Sequence, residues 1–236
     1  PICIVRMPAI AVARSISMDL GEEATLSGRV GQLFLLVTLL SLAPGIAVMI
    51  TCFPFMVTVL SLLRQGIGLQ AAPPNLLMIS LALFLTYFVM EPVFNEAWTA
   101  GISPLLDGDI EPEQGCERGM APFETFMRGR VRPEMISALA DAAPGRSAAI
   151  GEDGEANLGL LIPAFMLSEV ERAFEVGFMI FLPFLIIDLI VASVLMSMGM
   201  MMVPPVVVSL PLKLAFFVVA DGWSLIAGAL IKGYGT

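Results

Sequence analysis

From Leu33 to Leu63 the chain carries no charged side chain. A single straight helix over that run would rise about 46 Å at 1.5 Å per residue, against about 30 Å of bilayer hydrocarbon. It is too long for one upright span and too apolar to stand in water. Pro44-Gly45 and Pro54 are the places where the helical hydrogen-bond ladder is weakest. The run is therefore predicted to be a kinked helix, or two joined helices, ending near Arg64-Gln65-Gly66.

The other apolar stretches fit a bilayer no better. Pro73-Pro74 suits a helix start, because proline lacks only an N–H that the first turn leaves unbonded anyway. The helix it announces runs through Leu76 to about Trp98, yet its uncharged part, Leu76 to Met90, rises only about 22 Å before Glu91-Pro92. Leu158 to Ile231 is long enough for two more helices, divided near residue 200 and broken again at Pro211. The first carries Glu169, Glu171, Arg172, Glu175 and Asp188, and the last carries Lys213 and Asp221. Charges at bilayer depth are expensive and normally face protein or water. One run too long, one too short and two peppered with ionisable groups together point to helices packed against other protein.

Residues 99–157 change character, with eleven acids against five arginines. Phe123, Phe126, Met127, Met135, Ile136 and Leu139 trace a weak helical stripe through them, and Pro144-Gly145 and Gly151 to Gly154 read as loop. This is a soluble helical insert, and its acidity leans towards the outer side of the membrane. Residues 1–30 mix Arg6, Arg14 and Arg29 with Asp19, Glu22 and Glu23 and show no complete signal peptide. The expected organisation is all-α: an N-terminal segment (1–30), a hydrophobic helical hairpin (31–98), the acidic insert (99–157) and a second hydrophobic hairpin (158–236).

Composition narrows the function. With 58% hydrophobic and 14% charged residues and a mean hydropathy of +0.91, the chain belongs with membranes. A net charge of −9, only two lysines and no histidine exclude a nucleic-acid surface, which needs clustered cations. Cys3, Cys52 and Cys116 are scattered, with neither disulfide nor zinc spacing. No phosphate-binding loop, histidine base or metal constellation is present, so no enzyme, cofactor or metal is expected.

The second hairpin turns at Met196-Ser197-Met198-Gly199-Met200-Met201-Met202-Val203-Pro204-Pro205, which holds five of the chain's 16 methionines. Methionine is unbranched and polarizable, and fills irregular space without imposing a shape. Gly199 loosens the backbone within the run, and Pro204 and Pro205 close it. A soft apolar loop between two helices is predicted. Judged on the residues alone, apolar filler at a helix end is the plain reading.

The ionisable residues divide similarly. Asp188 lies in the most apolar stretch, where a lone carboxylate is costly, so a structural pair with Lys213, within or between subunits, is expected. Glu169 with Arg172, and Glu171 with Glu175, share helix faces. They form either a solvated face or a polar contact with a neighbouring subunit. Arg64 and Gln65 close the first long run. Asp188 and Asp221 raise the thought of an intramembrane aspartyl protease, but Ala220-Asp221-Gly222 lacks the glycine-flanked pattern of such enzymes. An ordinary ion or solute channel would need helices matched to the bilayer and a polar lumen.

With these residues laid out, the chain resembles the FliP family of flagellar type III export-gate proteins. The resemblance rests on Leu60-Ser61-Leu62-Leu63-Arg64-Gln65, Pro73-Pro74-Asn75, Leu81 to Thr86 with Pro92-Val93-Phe94-Asn95, and Leu161-Ile162-Pro163-Ala164-Phe165. Above all it rests on Phe181 to Asp188 continuing through Val191 to Met202, then Pro204-Pro205, Ser209-Leu210-Pro211 and Asp221-Gly222-Trp223. One departure falls at Phe53-Pro54-Phe55, where relatives typically carry a Thr-Arg pair after the first Phe.

The resemblance implies a homopentamer that, with FliQ and FliR, forms a helically wound gate in the flagellar basal body at the bacterial inner membrane. Unfolded flagellar subunits pass through it, driven by a soluble ATPase and the proton motive force. It also implies that the apolar helices pack together largely on the periplasmic side, which accounts for their poor fit to lipid. In such a ring, Met196, Met198, Gly199, Met200, Met201 and Met202 of each copy would meet at the axis as a thioether gasket. Glu169, Glu171, Arg172 and Glu175 become candidate contacts with a neighbouring copy or FliQ.

Overall fold

The computed structural model describes residue 34, residues 37–38, residue 41 and residues 45–68, 73–142, 156–200 and 202–234. The N-terminal segment 1–30, the proposed kink at Pro44, the loop glycines 151–154 and Met201 lie outside them. Every regular element among the described residues is helical. The contacts divide the chain into two compact units, one drawn from Pro1–Thr51 and Glu91–Ser168, the other from Cys52–Met90 and Glu169–Thr236.

In the second unit, α1 spans Phe53–Ile67. Ile50, Thr51 and Cys52 are non-helical, so the long uncharged run is interrupted there. Pro54 stands in the first turn of α1, as its missing N–H favours. Phe55, Met56, Val59, Leu60, Leu63 and Ile67 are buried, a three-four spacing that defines one face. Gly68 ends the helix in the left-handed conformation, its N–H bonded to the Gln65 carbonyl, and Arg64 sits in the last turn where a cation suits the helix dipole.

Helix α2 spans Asn75–Ala97. It does not stop at Glu91-Pro92: the helix absorbs Pro92 and continues through a π-helical turn at Trp98–Ile102 into the short α3, Ser103–Leu106. An internal proline removes one backbone bond without ending a helix whose other bonds persist. The continuous stretch Asn75–Leu106 is 32 residues long, enough by length and composition to cross a bilayer, with Glu91 and Glu96 inside it.

The first unit is organised by the acidic stretch. Helix α4 (Pro112–Arg130) and helix α5 (Pro133–Ala142) expose most of their acids and turn the predicted apolar stripe inward. Met127 joins Ile50, Leu161 and Phe165 in a buried cluster, with Phe123 and Phe126 packed against it. Edge-to-face ring pairs join Phe94 to Phe123, at 5.7 Å, and Phe126 to Phe165, at 5.9 Å. Arg128 ties α4 to the chain before α6 (Leu158–Ser197), donating to Glu124 Oε1 at 2.7 Å and to the Ala156 carbonyl at 2.9 Å. The π-helical turn crosses α4 at glycines: a Cβ on Gly101 would lie 2.5 Å from the Gly119 backbone nitrogen.

Helix α6 is unbroken for 40 residues, and α7 (Pro205–Val219) and α8 (Gly222–Lys232) follow it. The break expected at Pro211 is not there, since α7 runs through it. The chain bends instead by 62° between α7 and α8, where Asp221 takes φ 48°, a left-handed conformation that Asp tolerates better than most residues. Gly222 makes the bend possible: a Cβ there would fall 2.2 Å from the Phe217 ring, which itself stacks edge-on against Trp223 at 5.3 Å.

Candidate functional site: the methionine hairpin

Within the second unit, α6 and α7 form an antiparallel hairpin around the methionine run. On α6, Phe184, Val191 and Leu195 are buried, and Asp188 shares their three-four spacing. On α7 the buried residues are Ser209, Lys213 and Phe217, one turn apart. The Phe184 ring lies 6.2 Å from Phe216 and 6.3 Å from Phe217. Lys213 Nζ donates to Asp188 Oδ2 at 2.5 Å. The lysine side chain is 7% exposed and the aspartate 40%, so the ammonium is the more desolvated partner. The structure thus brings Asp188 and Lys213 together within one chain. Asp188 is held by a cation rather than by a second acid, which removes the arrangement an aspartyl protease needs.

Beyond Leu195 the helix ends by a defined device. The Gly199 N–H bonds the Met196 carbonyl and the Met200 N–H bonds the Leu195 carbonyl, with Gly199 at φ 74°. This pair of bonds around a left-handed glycine is a Schellman cap. Gly199 therefore terminates the helix rather than loosening the run, because only glycine takes that φ without steric cost. Pro204 is the N-cap of α7, with ψ 122°, and Pro205 follows in its first turn. Between these two ends the side chains of Met196, Met198, Met200 and Met202 stand in the open, Met202 at 97% exposure. Within this chain those thioethers fill no core.

Glu169 is 0% exposed, and Tyr234, whose ring stacks edge-on against Phe55 at 5.2 Å, donates its hydroxyl to the carboxylate. Within this chain Glu169 is therefore on no solvated face. Each residue advances the helix by about 100°, so Glu169 points inward with Ser168 and Ala173 while Glu171 and Glu175 are exposed and Arg172 half-buried. Tyr234 was not singled out from the sequence, since nothing near the end of an apolar helix signals which acid it will meet. The αL residue Asp221 and its neighbour Gly222 were likewise missed as the hinge. Among the described residues no group of His, Cys, Asp and Glu could hold a metal ion. Neither Cys52 nor Cys116 is in a disulfide.

The sequence pattern of the FliP family matches residues 36–230, which includes the methionine run. The chain belongs to the FliP family. Relatives similar to it over nearly all its length carry the name flagellar biosynthetic protein FliP. The Caulobacter vibrioides protein is 50% identical over 232 residues, 97% of this chain and 85% of that protein. The Agrobacterium fabrum protein is 43% identical over 98% of this chain and 96% of its own length. The Bacillus subtilis protein is 44% identical over 86% of this chain and 91% of its own. As a FliP-family chain it keeps an all-α structure, and the departure at Pro54-Phe55 has a visible basis. Pro54 starts α1, and Phe55 is buried against Tyr234.

Proposed function

We propose that this FliP-family chain is a core subunit of the export gate of the flagellar type III secretion apparatus, a conduit for unfolded flagellar proteins and not an enzyme. The observation that carries the reading is the methionine hairpin: a helix capped at Gly199, a helix restarted at Pro204-Pro205, and exposed thioethers between. In a ring of copies those side chains form a deformable apolar constriction, which excludes water and ions while yielding to a passing polypeptide. The subunit works in a homopentamer with FliQ-type and FliR-type partners, in the flagellar basal body at the inner membrane, with the assembled gate largely on the periplasmic side. The exposed apolar sides of α2 and α6 support an assembly of this kind, since only 17% of the most apolar window of α6 is buried within the chain. Glu171, Arg172 and Glu175 remain candidates for contact with a neighbouring subunit, and Asp188 with Lys213 holds the hairpin that carries the gasket.

The test is deletion of Gly199 to Met201, with ion leak across the membrane and flagellar protein secretion measured together. The gasket role requires a leaky membrane, and a tight membrane with normal secretion overturns it. Purification in mild detergent as a large ring with FliQ-type and FliR-type subunits checks the assembly.

A further inference from the structure

From Leu189 to Leu212, around the tip of the α6–α7 hairpin, no side chain is ionisable. The serines there are turned back on their own helices: Ser193 donates to the Leu189 carbonyl at 2.8 Å, Ser197 to that of Val194 at 2.7 Å and Ser209 to that of Val206 at 3.4 Å. The reactive side-chain atoms left in the open are sulfurs. Met196 is 63% exposed, Met198 67%, Met200 43% and Met202 97%, whereas Met56, Met90 and Met127 have no exposed surface. One chain thus holds methionines at both extremes of accessibility, and the open ones are gathered at the hairpin tip.

An accessible thioether reacts with hydrogen peroxide. The sulfur lone pair attacks one peroxide oxygen, so an S–O bond forms as the O–O bond breaks; the departing hydroxide takes the proton from the new S–OH and leaves as water. Sulfur is oxidised by two electrons and the peroxide is reduced. The product, methionine sulfoxide, is polar and chiral where the parent side chain was apolar and flexible, and it disrupts methionine-rich interfaces. An apolar constriction closes a pore by excluding water. Sulfoxide oxygens are strong hydrogen-bond acceptors, so they would hold water at a place where the serine hydroxyls donate to backbone and no charge stands close in sequence.

We propose that Met196, Met198, Met200 and Met202 are a modification site for hydroperoxides, and that their sulfoxides wet the constriction and make the gate leak. The functional half rests on the reading of the hairpin as a gate. In a ring the same side chains face the axis, which a solute as small as peroxide reaches through the mouths of the conduit. The change is reversible, because sulfoxide reductases return the thioether.

The experiment treats two preparations with hydrogen peroxide: the full chain in mild detergent, and membrane vesicles carrying the assembled gate. Sulfoxide is mapped residue by residue by mass spectrometry, and ion leak is measured on the vesicles. In the purified chain Met198 and Met202 should oxidise about tenfold faster than Met56 and Met127, as access to sulfur requires; equal rates overturn the proposal. In the vesicles peroxide should raise the leak severalfold, and methionine sulfoxide reductases with their thiol reductant should restore it. A leak that stays flat while the run carries sulfoxide overturns the proposal, and so does a run that takes up no sulfoxide in the assembled gate. Each variant is compared with itself before and after peroxide, so that its own basal leak cancels. The response should vanish when Met196, Met198, Met200 and Met202 are all changed to Leu, and should fall in Met202→Leu alone, whose side chain has almost no neighbours in the chain to disturb. Met49→Leu and Met179→Leu, two exposed methionines outside the run, should leave the response as it was. A full response in Met202→Leu, or its loss in Met179→Leu, overturns the assignment. Deletion of Gly199 to Met201 separates this inference from the gate reading: if the deletion leaks and peroxide does nothing, the oxidation site falls and the gate stands, whereas a tight deletion removes the gate itself.

Discussion

Tyr234 donates its hydroxyl to Glu169, a carboxylate with no exposed surface 65 residues earlier in the chain. The bond closes the second unit, fixing the residues after α8 against the buried side of α6 through an acid that burial would otherwise penalise. Hydrogen bonds to charged groups contribute about 1.5–3 kcal/mol, and a stranded buried acceptor costs a similar amount. Tyr234→Phe should therefore lower stability by about 2 kcal/mol while sparing the Phe55 stacking. The thermal midpoint of the detergent-solubilised chain measures this. The double variant with Glu169→Gln should fall short of the sum of the singles, because the two changes remove one interaction. Strict additivity would mean that the hydroxyl serves something else.

The Asp188–Lys213 pair predicts an asymmetry. Asp188→Ala strands an ammonium that is 7% exposed, whereas Lys213→Met strands a carboxylate whose side chain is 40% exposed, with only its Oδ1 buried and unpartnered. The first should cost about 3 kcal/mol, the low end for breaking a buried pair, and the second clearly less. Asp188→Asn keeps an acceptor for the ammonium and should be the mildest of the three. Reversing both charges, with Lys at 188 and Asp at 213, should restore assembly that either single reversal loses. Co-purification of the partner subunits reads the outcome, and equal costs at the two sites would contradict the burial argument.

Two glycines should respond differently to the same added methyl. At Gly222 the obstacle is the Phe217 ring, a side chain that can yield, so Gly222→Ala should cost about 1–3 kcal/mol, and Phe217→Leu in the same chain should recover part of it. At Gly101 the obstacle is the Gly119 backbone, so the two elements must move apart and no second-site side-chain change helps. Gly101→Ala should unfold at the lower temperature of the two. A rescue of Gly101→Ala by trimming a side chain in α4 would show that the close approach is not backbone on backbone.

Much of this was legible in the residues. Pro73-Pro74 marks a helix start because a proline N–H is dispensable there, Pro54 marks a break in the long uncharged run, and the stripe through Phe123, Phe126 and Met127 marks the core of the acidic stretch by its spacing. Asp188 and Lys213 were pairable because each is the lone charge in its surroundings. The rest was hidden for physical reasons. Along α6 nearly every residue is apolar, so periodicity does not say which face is buried, and Glu169 could not be assigned to the inside. Pro211 looks like a break, yet it does not end its helix, because a single lost bond is outweighed by the bonds around it. The true bend depends on Asp221 at positive φ and on the Phe217 ring under Gly222, a contact between side chain and backbone that only the folded chain displays.

Helix α6 buries only 17% of its most apolar window within its own chain. The population of correctly folded subunit is then a matter of mass action: whatever binds that face in the native state draws unfolded chain towards it. A covering surface present at a hundred times its dissociation constant adds about 2.7 kcal/mol, comparable to the single contacts described above. Subunits made in excess of their partners would be less stable than subunits made in step with them, so the stoichiometry of synthesis becomes part of the folding free energy.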